Sequence, residues 1–192
     1  MAMKIYRISI DLNSWRLLPA DEIFWDNPSM FQVMNMRPQW TAPRFYVKDP
    51  VRTTCMDFVD VAAGAFAYWS KVNESDFGEI IERSGEVLPA NVDPDSEKLY
   101  VFNATACYNC LDRKNTLARW TPDGTVAIQV QKYAFHADRI GDCNLFKIPE
   151  MKRVGLFALV GRDEPEDEFY AQYHALGFTG LKFEEVWSNE VS

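Results

Sequence analysis

Residues 56–71 read MDFVDVAAGAFAYWSK, and this stretch decides the class of fold. The segments 56–62 and 65–71 are rich in β-branched and aromatic residues, which favour extended backbone. Ala63 and Gly64 separate the two segments, and a glycine at such a point is typical of a turn. The pattern predicts two successive strands, so a sheet is the expected framework of the fold.

A helix near 74–84 is predicted to follow these strands. Phe77, Ile80 and Ile81 recur with the spacing of one helix face. Asn73 or Ser75 is suited to cap the start of this helix, and Gly85 is suited to end it.

Short segments of strand-like composition fill most of the remaining chain. The run 125–135 is strongly β-branched and aromatic, and it follows the turn signal at Asp123 and Gly124. The segment 111–120 is compatible with either a short helix or a strand. The other predicted strands are 4–10, 86–92, 98–106, 145–148, 154–160 and 181–187.

A second helix is predicted near 164–176. Asp163 can cap it, Pro165 is tolerated in a first turn, and acidic side chains there suit the positive end of the helix dipole. Its apolar positions follow the helical period and Gly177 ends it; these positions are Phe169, Tyr173 and Leu176.

Many strands, few helices and no regular alternation of the two predict an α+β fold with a mixed, largely antiparallel sheet. The chain contains 6 Trp, 8 Tyr and 13 Phe, and three of the tryptophans lie in the first fifty residues. Aromatic side chains and prolines at this density indicate ordered loops and short strands. We therefore expect an aromatic-rich region, 1–54, packed on an α+β domain, 55–192.

The charge of the chain excludes one class of partner. Twenty Lys and Arg residues against 28 Asp and Glu residues give a formal net charge of −8. Such a chain is repelled by phosphate groups, which disfavours direct binding to nucleic acid or to a membrane surface. The sequence has no signal peptide and no apolar run near the ~18 residues of a membrane span, so a cytoplasmic protein is expected.

The four cysteines allow an enzymatic alternative. Cys107 and Cys110 form a C-x-x-C pair after a predicted strand, the placement of a thiol–disulfide oxidoreductase if a helix follows. A thiol could also pair with His136 or His174 in Cys/His catalysis. A second Cys pair or a paired-His motif is missing, so neither a metal site nor a cofactor is predicted. Structural thiols are the simpler interpretation.

Most of the negative charge lies in two parts of the sequence. Residues 51–100 carry a net charge of −6, and residues 151–192 carry −4. The densest cluster, 163–168, has a simple explanation as a solvated helix start. The alternative is a surface that docks a basic partner, because clustered carboxylates speed association with cationic proteins.

Five stretches, taken in order, resemble predicted immunity-protein family eleven of bacterial polymorphic toxin systems. The resemblance covers about two thirds of the chain, from about residue 55 to 187. The matching stretches are LPANV (88–92), LYVFN (99–103), CLDRKN (110–115), QKYAF (131–135) with DCNLFKIP (142–149), and GFTGLKFEEV (177–186).

The resemblance implies a protein without catalytic residues that binds a cognate toxin and blocks it. A nuclease or another toxin that acts in the cytosol is the expected partner, and such toxins are commonly basic. The expected contacts are an acidic rim and a few aromatic anchors, namely Asp163, Glu164, Glu166, Asp167 and Glu168 with Trp15, Trp25 and Trp40. A Cys107/Cys110 enzyme and an adaptor or chaperone for toxin loading remain alternatives, and the oligomeric state is not predicted.

Overall fold

The computed structural model describes residues 2–20, 31–93, 98–162 and 164–190. Within these residues the chain forms twelve β-strands and three α-helices. The strands are β1 (Lys4–Ile10), β2 (Arg16–Pro19), β3 (Arg44–Lys48), β4 (Phe58–Ala62), β5 (Ala65–Trp69), β6 (Gly85–Asp93), β7 (Leu99–Ala104), β8 (Leu117–Trp120), β9 (Ala127–Lys132), β10 (Leu145–Lys147), β11 (Leu156–Val160) and β12 (Leu181–Ser188). The helices are α1 (Ser70–Asn73), α2 (Phe77–Ser84) and α3 (Phe169–Ala175).

Strands β4 and β5 form an antiparallel hairpin. Phe58 is opposite Tyr68, and Ala62 is opposite Ala65 across the turn. The α+β class with mostly antiparallel sheets is confirmed. Within the described residues, no helix is both long enough and apolar enough to cross a membrane.

In the described part of the chain, six strands close into a barrel in the order β2-β3-β6-β7-β5-β4. Four of its contacts are antiparallel, whereas β3 pairs in parallel with β6 and β2 pairs in parallel with β4. The second of these parallel contacts consists of the single pair Arg16 and Asp60. All six strands direct apolar side chains into one shared cluster, which fills the barrel interior.

A second, antiparallel sheet has the strand order β10-β11-β1-β12 among the described strands. Side chains alternate along β1, so that Ile8 belongs to a core shared with the barrel wall and Ile5 belongs to a core on the opposite face. Each face of the sheet therefore contributes side chains to a core.

The core between barrel and sheet also holds the two longer helices. Phe77, Ile80 and Ile81 of α2 are buried there, with Phe169 and Tyr173 of α3. The apolar positions that predicted these helices are thus the ones that pack, apart from Leu176, which is 46% exposed.

The helix predicted near 164–176 is present as α3, but it is not continuous from residue 164. Pro165–Asp167 forms a separate 3-10 turn, Glu168 is extended at φ −94° and ψ 128°, and α3 begins only at Phe169. The side chain of Asn144 lies at this break, where its Nδ2 donates to Asp167 O at 3.0 Å and its Oδ1 accepts from Phe169 N at 2.9 Å. A side chain from a remote loop thus satisfies the backbone groups that a continuous helix would have paired.

The ambiguous segment 111–120 contains a strand, β8, which pairs with β9 in a separate two-stranded sheet. The aromatic-rich region 1–54 contributes β1 to the four-stranded sheet and β2 and β3 to the barrel. The boundary predicted at residue 54 therefore does not separate the barrel from the four-stranded sheet.

Candidate interaction surface

Helix α2 and the 3-10 turn Pro165–Asp167 bring the two acidic parts of the sequence together. Arg83 donates from Nη1 to Asp167 Oδ1 at 3.0 Å and from Nη2 to Glu79 Oε2 at 3.4 Å. These groups are exposed, so the ion pairs contribute little to stability. Their importance is geometric, because they place carboxylates that are far apart in sequence on one surface.

We call this surface the acidic face. Its carboxylates are exposed, and it includes one group, Asp142, that lies outside both acidic parts of the sequence and borders a cleft with Arg83 and Asp167. Contacts and the shared cleft bring together Glu79, Asp142 and Asp167. We define the acidic face as these three with the exposed carboxylates next to them on the same two elements, namely Asp76, Glu82, Glu164 and Glu166.

Two clefts flank the last turn of α2. One has a volume of about 360 Å³ and lies between Arg83, Ser84, Asn144 and Asp167. The other has a volume of about 530 Å³. Its lining includes Val33, Asn35, Arg37, Glu82, Glu86 and Thr105. The surface beside the acidic carboxylates is therefore concave.

Glu168 must be removed from the predicted contacts. Its side chain is 5% exposed, and its Oε1 accepts a hydrogen bond from Gly161 N at 2.5 Å. The break after Asp167 turns this carboxylate inward, where it holds the loop that follows β11. Of the other predicted acidic contacts, Glu164, Glu166 and Asp167 are exposed, and Asp163 lies outside the described residues.

The two described tryptophans among the predicted anchors pack on the barrel. Trp15 meets Trp69 edge-on, with ring centroids 6.2 Å apart. Trp40 donates from Nε1 to Pro89 O at 2.8 Å and packs against Phe31. Both rings are only half-buried, but their contacts are structural and bring neither of them to the acidic face. Trp25 lies outside the described residues.

The thiols lie in surroundings that oppose thiolate chemistry. Burial raises the pKa of Cys107, although the nearby charge of Arg153 partly offsets it. Burial also raises the pKa of Cys110 to about 12. Cys107 pairs with Lys147 in an isolated β-bridge, and the first regular element after Cys110 in the described chain is strand β8, not a helix. The helix N-terminus that would activate the first thiol is therefore missing from this part of the structure.

His136 lies near Asp112, with Nε2 and Oδ1 3.9 Å apart, whereas His174 is exposed on α3 among aromatic rings. Among the described residues, no group of three His, Cys, Asp or Glu side chains could hold a metal ion.

A buried chain of polar side chains was not predicted from the sequence. Lys147 is 0% exposed, and its Nζ donates to Phe31 O at 2.5 Å and to Asn103 Oδ1 at 3.5 Å. Asn103 Nδ2 in turn donates to Glu86 Oε2 at 2.9 Å. We call these three residues the polar relay. A charged residue inside the apolar run 145–148 was the signal that could have revealed it.

A comparison with known protein families finds none that matches this chain, and a comparison with curated protein sequences finds no match either.

Proposed function

We propose that this chain is a cytoplasmic immunity protein that binds a cognate toxin domain through the acidic face and so blocks the toxin. The observation that supports this most directly is the meeting of two acidic parts of the sequence through Arg83 and Asp167. The proposal also keeps the expectation that came from the five sequence stretches resembling immunity-protein family eleven.

The chemistry of the acidic face suits a basic partner. Clustered carboxylates accelerate encounter with a cationic protein and disfavour anionic competitors. A toxin that cleaves nucleic acid must itself attract phosphate, so an acidic surface is complementary to the region it uses. Occlusion of that region would stop the toxin without any catalytic step by the immunity protein.

A stable complex needs more than charge. A standard interface buries roughly 1,600 Å² in total and depends on a few well-packed anchors. The two clefts beside α2 provide concave surface for side chains of the partner. Trp15 and Trp40 are occupied with internal contacts, whereas Trp25 stays a predicted anchor.

Charge reversal within the acidic face tests the proposed contact. The double variant Glu164→Lys/Glu166→Lys should lower the association rate constant for the toxin domain about tenfold at low salt, with a smaller effect at high salt. Glu184→Lys/Glu190→Lys is the matched control, because it changes the net charge equally at exposed positions elsewhere. Equal rates for the two variants would show that the toxin binds another surface.

Survival tests the function itself. We expect the neighbouring upstream gene to encode a large protein with a C-terminal toxin domain. That domain, expressed alone, should kill cells, and co-expression of this chain should protect them. A loading adaptor would bind the toxin without abolishing its activity, so cells would die despite complex formation.

The thiol enzyme is the weaker alternative, because burial raises the pKa of both thiols of the C-x-x-C pair. The variant Cys107→Ser/Cys110→Ser separates the two functions. Protection that persists in this variant supports an immunity protein, whereas protection lost with the fold intact, as judged by circular dichroism, would support thiol chemistry.

A further inference from the structure

Residues 31–37 form a segment, here called the strap, whose backbone is strained. Phe31 has φ +63° and Val33 has φ +70°, both in the left-handed region. This region is unfavourable for side chains other than glycine, and most unfavourable for β-branched ones such as valine. Such a conformation persists only where the surroundings impose it.

The polar relay imposes this conformation through four backbone groups of the strap. Lys147 donates to Phe31 O, and Asn103 Nδ2 donates to Met34 O at 2.8 Å. The carboxylate of Glu86 accepts from Met36 N at 2.8 Å and from Arg37 N at 2.9 Å. Carbonyl oxygens and amide hydrogens of the strap are thus held by different members of one relay.

The relay connects the strap to both main parts of the fold. Glu86 and Asn103 belong to barrel strands β6 and β7, whereas Lys147 belongs to β10 of the four-stranded sheet. All three side chains are buried, so the strap cannot replace these bonds with water while it stays in place.

The strap also covers the barrel interior. Phe31 is 1% exposed and Met36 is 3% exposed, and both belong to the apolar cluster that fills the barrel. Further along the strap, Val33, Asn35 and Arg37 form one side of the cleft that Glu82 and Glu86 border from the other. Its position therefore determines both the closure of the barrel and the shape of this cleft.

We propose that the strap is a gate. The polar relay holds the gate closed although the backbone of the strap is strained, and the strap opens locally to expose the barrel interior and to widen the cleft beside Glu82. Opening relieves the left-handed conformations at Phe31 and Val33 but breaks the buried hydrogen bonds to the relay. Because these two contributions to the free energy oppose each other, the open state lies only slightly above the closed state in free energy, and the barrel wall stays intact in it. The gate would act in this way whatever partner the acidic face binds.

Amide hydrogen exchange of the full-length chain tests the gate. The variant Lys147→Met keeps the length and apolar bulk of the side chain but removes its hydrogen bonds. Exchange at the amides of Met36 and Arg37 should become at least about tenfold faster, whereas exchange at Ala67 and Val101 in the barrel wall should stay unchanged. Lys132→Met, which removes an exposed lysine, is the matched control and should alter neither set.

A second variant tests the strain in the opposite direction. Asparagine tolerates the left-handed region far better than valine, so Val33→Asn should slow exchange at Met36 and Arg37 several-fold. This measurement also decides the matter if Lys147→Met does not fold. Unchanged strap exchange in Val33→Asn would overturn the gate, as would equal acceleration of strap and barrel amides in Lys147→Met.

Discussion

Gly180, directly before β12, lies against the backbone of Phe58 at the start of β4. Its φ is +105°, and a Cβ at this position would lie 2.0 Å from Phe58 O. The preceding Thr179 accepts from Phe58 N at 3.0 Å, and its Oγ lies 2.6 Å from Asp57 Oδ2. The start of β12 is therefore joined to the start of β4, and any side chain at 180 would force the two apart.

A comparison of two glycine substitutions separates this steric effect from backbone conformation. Gly177 also has a positive φ, +70°, but nothing lies within 4 Å of its added Cβ. Gly177→Ala should cost about 1 kcal/mol, the ordinary penalty of a left-handed alanine. Gly180→Ala should cost about 4 kcal/mol or more, because backbone atoms overlap. Urea denaturation measures both, and similar costs would contradict the close approach.

The buried ammonium of Lys147 gives folding an unusual pH dependence. Burial lowers its pKa from 10.5 to about 8, against a smaller opposing influence of Cys107. Between these two values the unfolded chain binds more protons at this position than the folded chain. Its contribution to the free energy of unfolding therefore rises as the pH increases from about 8 to 10.5.

The variant Lys147→Met measures this contribution. We expect the native chain to gain about 3 kcal/mol in free energy of unfolding over the variant between pH 7 and 10.5. Taking the difference between the two proteins removes the contributions of tyrosines and of thiols other than Cys107, because these groups titrate in both. Urea denaturation at a series of pH values measures it. A flat difference would show that the ammonium is not desolvated in the folded state.

At the scale of elements, the sequence predicted which segments form strands and helices. It predicted the first and last residues of these elements less well. The strand 4–10 is β1 as predicted, because its alternation is a local property of the chain. The helix predicted near 164–176 starts later than predicted, because the acidic first turn and the apolar spacing favour one continuous helix, whereas the break depends on Asn144. A remote side chain of this kind leaves no mark on the local pattern.

Asn144→Ala tests the cause of that break. The substitution leaves Phe169 N and Asp167 O without their partner and should lower the free energy of unfolding by about 2 kcal/mol. Asn109→Ala, at an exposed position, is the control and should change it by less than about 0.5 kcal/mol. Equal effects of the two substitutions, measured by urea denaturation, would show that Asn144 does not support the turn and α3.

Strand pairing was not predictable from composition. The hairpin β4–β5 is local, but β3 pairs with β6 and β2 pairs with β4 in parallel across long loops. The candidate site shows the same division. Both acidic parts of the sequence were recognised, whereas their meeting through Arg83, the burial of Glu168 and the polar relay all depend on contacts between distant segments.

On the scale of the whole molecule, one aromatic ring links the two large parts of the fold. Phe58 of the barrel contacts the rings of Phe66, Phe77, Phe169 and Tyr173, with centroids 5.3 to 6.5 Å apart. These partners come from the barrel and from both longer helices, and the same apolar cluster includes Ile8 and Leu156 of the four-stranded sheet. Barrel and sheet therefore share a core and should unfold together.

Phe58→Ala should lower the free energy of global unfolding by about 3 to 5 kcal/mol. Exchange of the most protected amides should quicken equally in the barrel, at Ala67, and in the sheet, at Leu159. Leu12→Ala, at a side chain that is 92% exposed, is the control and should leave both unchanged. Faster exchange at Ala67 alone would show two independently stable units.

The position of β1 in the sheet has a consequence for biosynthesis. β1 lies between β11 and β12, although it is synthesised before both of them. Until those two strands have left the ribosome, its apolar side chains and backbone groups have no native partners, which makes the nascent chain prone to aggregation. Because such long-range pairing is slow, completion of this sheet should follow synthesis of β12 and benefit from a chaperone that shields the first strand.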